Sequence, residues 1–136
     1  MLIPYLYYND NCEAAFNYYA KVLGGKIEAL LRNEEAPPEM PYSSERKKKI
    51  MHARMTIDGQ VLMGSDAAPE HFQKPQGFSV SLMVADPAEA ERKFKALADG
   101  GNVTMPFGKT FFSKGFGMCS DRFGIPWMVY CPLEGH

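Results

Sequence analysis

Apolar and polar positions along the chain switch repeatedly between the two-residue period of a strand and the 3.6-residue period of a helix. Residues 2–8 are apolar and aromatic and predict a first strand. From Cys12 the spacing changes: Cys12, Ala15, Phe16, Tyr19, Val22 and Leu23 fall on one helical face, and Gly24 supplies the stop. Asp10 is expected to cap this helix, with Glu13 three residues on completing a capping box. Residues 26–32 predict a short strand. Alternation returns at 50–57, with His52, Arg54 and Thr56 on one face and Met51, Ala53, Met55 and Ile57 on the other. Residues 60–65 follow across Asp58 and Gly59, a strong hairpin signal.

The second half repeats this order. Residues 77–84 predict a strand, and Asp86 caps a helix with Pro87 in its first turn and Glu89 at the third position. That helix buries Ala90, Phe94 and Leu97. Residues 102–105 predict a strand, followed by a Gly- and Phe-rich loop to Lys114. A last hairpin, 116–120 with 125–131, turns across 121–124. Sliding the chain by 76 positions sets Asp10 on Asp86, Glu13 on Glu89, Tyr18 on Phe94, Ala20 on Ala96 and Gly24-Gly25 on Gly100-Gly101. The later echo of 58–63 in 123–128 has a shorter offset, because the first copy carries the long loop 33–49. That loop is rich in Pro and Glu and is expected to cover part of the molecule.

The tally is β-α-β-β-β twice. Modules this small cannot each bury a core alone, so they are expected to pack on each other or on a second chain. The predicted fold is α+β: one domain over 1–136, with repeats at about 1–66 and 77–131. Two mixed four-stranded sheets would curl edge to edge into a half-open barrel, helices outside and a concave face free for a ligand.

Bulk properties narrow the partners. A formal charge of −1 supplies no electrostatic drive toward nucleic acid or an anionic membrane. No run approaches the ~18 apolar residues of a membrane span. Residues 1–10 have no basic lead of the kind a signal peptide carries. The three cysteines, Cys12, Cys119 and Cys131, have an odd count and no C-x-x-C spacing. Neither a disulfide nor a structural zinc framework is expected, and a cytoplasmic location is.

The element order, the paired Asp-x-x-Glu-Ala helix starts and the run GFGMCSDRFGIPWM at 115–128 resemble the vicinal-oxygen-chelate superfamily. Pro4, Tyr5 and Leu6, the run Asn11 to Ala14, His52-Ala53, and Leu62 to Asp66 carry the resemblance to its PhnB-like branch. That branch is named for a protein encoded in a phosphonate-utilisation operon, and similar sequences carry a methyltransferase label. No nucleotide-binding glycine motif follows a strand here, and no acid is placed to hold a ribose. The resemblance implies a paired homodimer and, in enzymes of the superfamily, a divalent metal on the concave face. Those ligands are His, Gln, Glu or Tyr on the first and last strands of each unit. Laid on that pattern, the chain places Ile3 and Met63 at the first pair and Ser79 and Met128 at the second. None is a usual donor for a hard or borderline divalent ion. The resemblance supplies a fold and a pocket; no cofactor is expected.

His52 and Arg54 are the principal candidates for chemistry. A guanidinium beside an imidazole suits an anionic or carbonyl-bearing ligand: Arg binds it in a bidentate manner and His donates or accepts a proton. The alternative is structural, with His52 a satisfied sheet residue and Arg54 paired to Asp66 or to a loop glutamate. Thr56 shares their face. Ser79 and Ser81 alternate along a strand and could hydrogen-bond a ligand, yet no base stands at a recognisable offset to activate either. His71, in a polar loop, and His136, at the end, are weaker candidates. Arg46, Lys47, Lys48 and Lys49 follow Glu34, Glu35, Glu39 and Glu45, which reads as a solvated loop. Phe107, Phe111, Phe112 and Phe116 either cap the pocket or meet a second subunit.

Three functional readings remain open. The first is a small-molecule binding protein whose pocket lacks the usual metal ligands, its ligand polar or anionic, with His52, Arg54, Thr56, Met63, Ser79, Ser81 and Met128 lining it. The second is a lyase, dioxygenase or transferase using His52 as acid or base and Arg54 as an anion clamp. The third is a structural homodimer without pocket chemistry.

Overall fold

A computed structural model describes residues 1–37 and 42–134; Glu39 and His136 lie outside the described residues. The chain divides into two units, 1–73 and 74–136. The first contains β1 (Tyr5–Tyr8), α1 (Cys12–Leu23), β2 (Lys26–Arg32), two short 3-10 turns (Asn33–Glu35 and Ser44–Arg46), β3 (Ile50–Ile57) and β4 (Gln60–Asp66). The second contains β5 (Val80–Met83), α2 (Pro87–Ala98), β6 (Asn102–Thr110), β7 (Ser113–Ser120) and β8 (Pro126–Pro132). The fold is α+β, two β-α-β-β-β modules as the sequence suggests. Each forms a four-stranded sheet, in the orders β1-β4-β3-β2 and β5-β8-β7-β6. First and last strands of each unit pair in parallel, and the other pairs are antiparallel.

Each sheet buries one face against its helix. In the first unit Phe16, Tyr19 and Leu23 of α1 are buried together with Ala53, Met55 and Leu62 of the sheet. Burying one side chain of the larger kind contributes about 1.5–3 kcal/mol. Tyr8 and Tyr19 are fully buried, and the Tyr8 hydroxyl donates to that of Tyr19 at 3.1 Å, so the core hydroxyls are not left unpaired. The expected face is shifted slightly: Val22 and Met51 are half-buried, while Ile50 is buried. The Asp58-Gly59 turn has φ of +49° and +78°, the geometry of a two-residue hairpin turn of the primed kind.

The two helices start differently. Asp86 caps α2 as expected, its Oδ2 accepting the Glu89 amide at 3.0 Å. Asp10 does not cap α1. The cap residue is Asn11, whose side chain makes no capping bond, and Asp10 sits one position earlier with φ +64°. Both carboxylates of the expected capping box are diverted to guanidinium groups, that of Arg46 in the segment the second copy lacks and that of Arg32 at the end of β2. Arg46 Nη2 lies 2.7 Å from Asp10 Oδ1, and Arg32 Nη2 lies 2.8 Å from Glu13 Oε2. Charge-assisted pairs of this kind outcompete a neutral amide donor. Asp66, at the end of β4, serves the vacated position: its Oδ1 accepts the Cys12 amide and its Oδ2 the Ile50 amide, each at 2.8 Å.

The stretch read as a Gly- and Phe-rich loop is a hairpin. β6 runs to Thr110, which pairs with Ser113, so Phe111 and Phe112 form the tip. Pro106 and Gly108 are accommodated by register shifts between Met105 and Gly108 and between Gly108 and Thr110. Phe107 packs on Phe94 with ring centroids 5.7 Å apart.

All three cysteines are buried and unbridged. Burial, with Asp66 and Glu13 adding to it, pushes the Cys12 thiol far above its ordinary range; burial and Asp121 raise Cys119 to about 11. The Cys131 thiol donates to the Ala85 carbonyl at 3.3 Å. These are packing groups, not nucleophiles.

Candidate functional site

Alternation in the first unit leaves one sheet face away from α1. Leu6 and Tyr8 are buried, whereas Tyr5 and Tyr7 are exposed. On β3 the same parity leaves His52, Arg54 and Thr56 half-buried, and on β4 Val61 and Met63. Register assembles them into rows. Met63 lies between Tyr5 on β1 and Arg54 on β3, while Tyr7 is paired with Ser65. Tyr5 connects the rows: its ring is 5.2 Å from that of Tyr7 and stacks on His52 at 6.0 Å, 28° between planes. His52, Arg54 and Met63 therefore do share one face, with Tyr5 and Tyr7 beside them. The tyrosines were legible as every second residue of the first strand, but an aromatic strand reads as core until register shows which half is buried.

The proposed Arg54–Asp66 pair does not form. Asp66 has both carboxylate oxygens accepting backbone N–H groups, and among the described residues no carboxylate makes an ion pair with Arg54. Thr56 is engaged: its hydroxyl donates to Glu28 Oε1 at 3.1 Å, Glu28 being the extra residue of a bulge between Ile27 and Ala29. In the second unit Ser81 pairs with Met128, which also pairs with Met118, and Met118 with Met105. Ser81 is exposed, Met128 half-buried, and Ser79 precedes β5.

This register also bears on a metal. The residues set opposite Met63 and Met128 in the parallel pairs are Tyr5 and Ser81; Ile3 and Ser79 stand before the strands. One phenol with thioethers, or a hydroxyl with thioethers, does not make a donor set for a hard or borderline divalent ion. Among the described residues no group of three or more His, Cys, Asp or Glu side chains is placed to hold one.

Clefts open in the first unit among the described residues. One, of about 420 Å³, surrounds the start of α1 and is lined by residues including Asn11, Glu13, Asn17, Lys48 and Lys49. The segment after β2 is tied down beside this region, its Glu34, Glu35, Glu45, Lys47 and Lys48 remaining exposed. Arg46 and Arg32 hold Asp10 and Glu13, Lys48 Nζ lies 2.7 Å from Glu34, and the Asn33 and Glu34 amides donate to the Lys49 and Lys47 carbonyls. Hydrogen bonds from Arg46 and Arg32 hold the Asp10 and Glu13 carboxyls below the usual carboxylate range, with burial opposing. A lowered folded pKa contributes stability that is complete above the unfolded value, near 4, and is lost as pH falls through the folded one. Hydrogen exchange at the Asn33 and Glu34 amides, corrected for intrinsic rate, should therefore lose protection between pH 5 and pH 3, by the modest amount expected of screened pairs, about 0.5–1 kcal/mol. Unchanged protection at pH 3 would refute an electrostatic clamp.

Another cleft, of about 500 Å³, is lined by Tyr7, Asp66, Ala67, Ala68, His71 and Gln73. It brings forward His71, which its polar surroundings in sequence had made unpromising. The turn holding it is tied down, the His71 and Phe72 amides both donating to the Ala68 carbonyl at 2.8 and 3.0 Å.

Three comparisons place this geometry among known proteins. Residues 1–130 match the model of the 3-demethylubiquinone-9 3-methyltransferase family. Protein YjdN of Escherichia coli K12 is 34% identical over 136 residues, covering 94% of this chain and 92% of its own. Protein PA1353 from Pseudomonas aeruginosa, of known crystal structure, is 46% identical with a TM-score of 0.88, covering 97% of each chain. The PhnB protein from Bacillus cereus is 25% identical with a TM-score of 0.77, over 96% of this chain and 98% of that one. In fold alone, the chain is also similar to the fosfomycin resistance protein FosX from Listeria monocytogenes, at 9% identity and a TM-score of 0.65, over 98% and 93% of the two chains. The two β-α-β-β-β modules and the match along nearly the whole length agree: the chain belongs to the 3-demethylubiquinone-9 3-methyltransferase family, the PhnB-like branch of the vicinal-oxygen-chelate superfamily.

Proposed function

We propose that the protein binds a small polar or anionic molecule on the open face of its first sheet. The observation that carries this reading is Arg54: half-buried in the middle of that face, it has no carboxylate partner among the described residues. A partly desolvated guanidinium beside the Tyr5–His52 stack is a receptor for an anion, with His52 placed to donate or accept a hydrogen bond. Met63 supplies an apolar floor. The methyl transfer in the family's name is not part of this proposal, since the chain has no glycine motif for a nucleotide-bearing donor.

Arg54→Ala separates binding from architecture. Its expected cost in stability is within about 0.5 kcal/mol, because no buried partner is stranded. Binding of phosphate or small carboxylates, followed by NMR titration, should weaken by about tenfold or more, as a charge-assisted contact is worth ~1.5–3 kcal/mol. An unfolding free energy that falls by several kcal/mol, with anion binding unchanged, would retire the role.

Pairing with a second copy belongs to the same proposal. Phe111 and Phe112 at the β6–β7 tip are 94% and 40% exposed, a pair of adjacent aromatic rings of the kind a subunit interface covers. Light scattering at micromolar concentration should give twice the 15.2 kDa chain mass. A mass near one chain would overturn the dimer.

A further inference from the structure

We infer that the cleft beside β1 is a second subsite that takes an uncharged planar ring, so that the preferred ligand is an aromatic acid or a similar ring-bearing anion. The inference rests on the Arg54 reading for the anionic end of that ligand and on the cleft for the other.

Tyr7 belongs to both places. Its ring touches Tyr5 on the open face and lines the cleft with His71, and at 56% exposure it has surface to offer a ligand. Tyr7, Tyr5 and His52 form a chain of ring contacts that ends two residues from Arg54. The walls are a phenol, an imidazole, two alanines, Asp66 and Gln73. This is a stacking surface with a few hydrogen-bonding groups, the composition of a small-molecule site, and about 500 Å³ lies in the range such sites occupy. Asp66 is the one acidic side chain in the wall, and both its oxygens already accept backbone N–H groups. Those bonds fix its orientation and commit it to the backbone, and the other walls carry no charge to select an ion, so a neutral ring fits the cleft. The backbone supporting the wall is fixed, the Ala67 amide donating to the Tyr8 carbonyl at 2.9 Å and His71 being held to Ala68.

The register also sets the length of the ligand. Arg54 and Tyr7 are separated by two strand spacings and one two-residue step along the strands, about 12 Å between backbones. Side chains stand roughly perpendicular to a sheet, so a ligand serving both must bridge a separation of this order, as one ring joined to an acidic group by a chain of a few atoms does.

Two probes and two variants test this: benzamide as the ring without charge, inorganic phosphate as the charge without a ring, each titrated by NMR into the wild type, His71→Ala and Arg54→Ala. Benzamide should shift the amides of Tyr7, Ala67 and Ala68, and His71→Ala should weaken it about fivefold, the worth of one ring contact, while leaving phosphate unchanged. Arg54→Ala should do the reverse. The same spectra report whether each variant is folded, and Gln73→Ala serves in place of His71→Ala if that chain is not. Benzamide that fails to bind, or binds with no response to His71 or Gln73, overturns the subsite and leaves the Arg54 reading intact. Benzamide bound in the cleft with phosphate absent from Arg54 upholds the subsite and retires the anionic end.

Discussion

Asp121→Ala is expected to destabilise the second unit by at least about 3 kcal/mol, a large share of the net stability of a small domain. Asp121 is 4% exposed, and its carboxylate is an organising centre. Oδ1 accepts the Phe123 and Ile125 amides, and Oδ2 accepts the Trp127 indole N–H, each at 2.9 Å. The alanine would take this acceptor away from all three donors, two of them in buried bonds, and a buried donor that loses its bond costs ~1–3 kcal/mol. Asp121→Asn keeps one acceptor oxygen for three donors and should fall between. Trp127 is the sole tryptophan, so its fluorescence during urea unfolding reads the site directly. A midpoint within error of wild type for the alanine variant would refute this account.

Gly101→Ala is expected to be of similar severity for a different reason. A Cβ there would overlap the Ser120 carbonyl oxygen and lie 2.8 Å from the Asp121 carbonyl carbon, all of it backbone and fixed by the Asp121 bonds. Its counterpart Gly25 would instead meet the Met55 sulfur at 2.9 Å and Ile57 Cγ1 at 3.0 Å, side-chain atoms that give way more readily than backbone. Gly101→Ala should cost more than about 3 kcal/mol, and Gly25→Ala about 1–2 kcal/mol. Thermal melts of the two variants make the comparison, and equal losses would show that the clash is relieved by a shift of the strand.

Much of the fold is legible in the sequence because both copies repeat the same signals. Asp86 with Pro87, the Asp58-Gly59 turn and the buried stripe of α1 are local features, and local features survive translation into structure. The departures come from partners distant in sequence. Asp10 and Glu13 have the spacing of a capping box, but nothing in that spacing reveals that Arg46 and Arg32 will reach them first. The stretch from Pro106 to Phe112 has loop composition and strand geometry, because bulges absorb its proline and glycine within a paired hairpin. On β3 the shared face of His52, Arg54 and Thr56 follows from alternation alone. The β1 side of that face does not, since placing Tyr5 and Tyr7 needs the parallel register with β4. The role of Asp121 is written in the run Asp121 to Trp127, where an aspartate precedes backbone amides at short range, a pattern with a known turn chemistry.

The borrowed cap of α1 bears on the order in which the chain acquires its shape. The carboxylate that caps α2 is three residues from the amide it accepts, so that helix can begin as soon as its own segment has been made. The carboxylate serving Cys12 is 54 residues away, at the far end of a strand that must first find its place beside β1. Closing so long a loop costs entropy before any bond repays it. The first turn of α1 is thereby made a late event, conditional on β4 having docked, and two halves built on one plan are set to fold on different clocks.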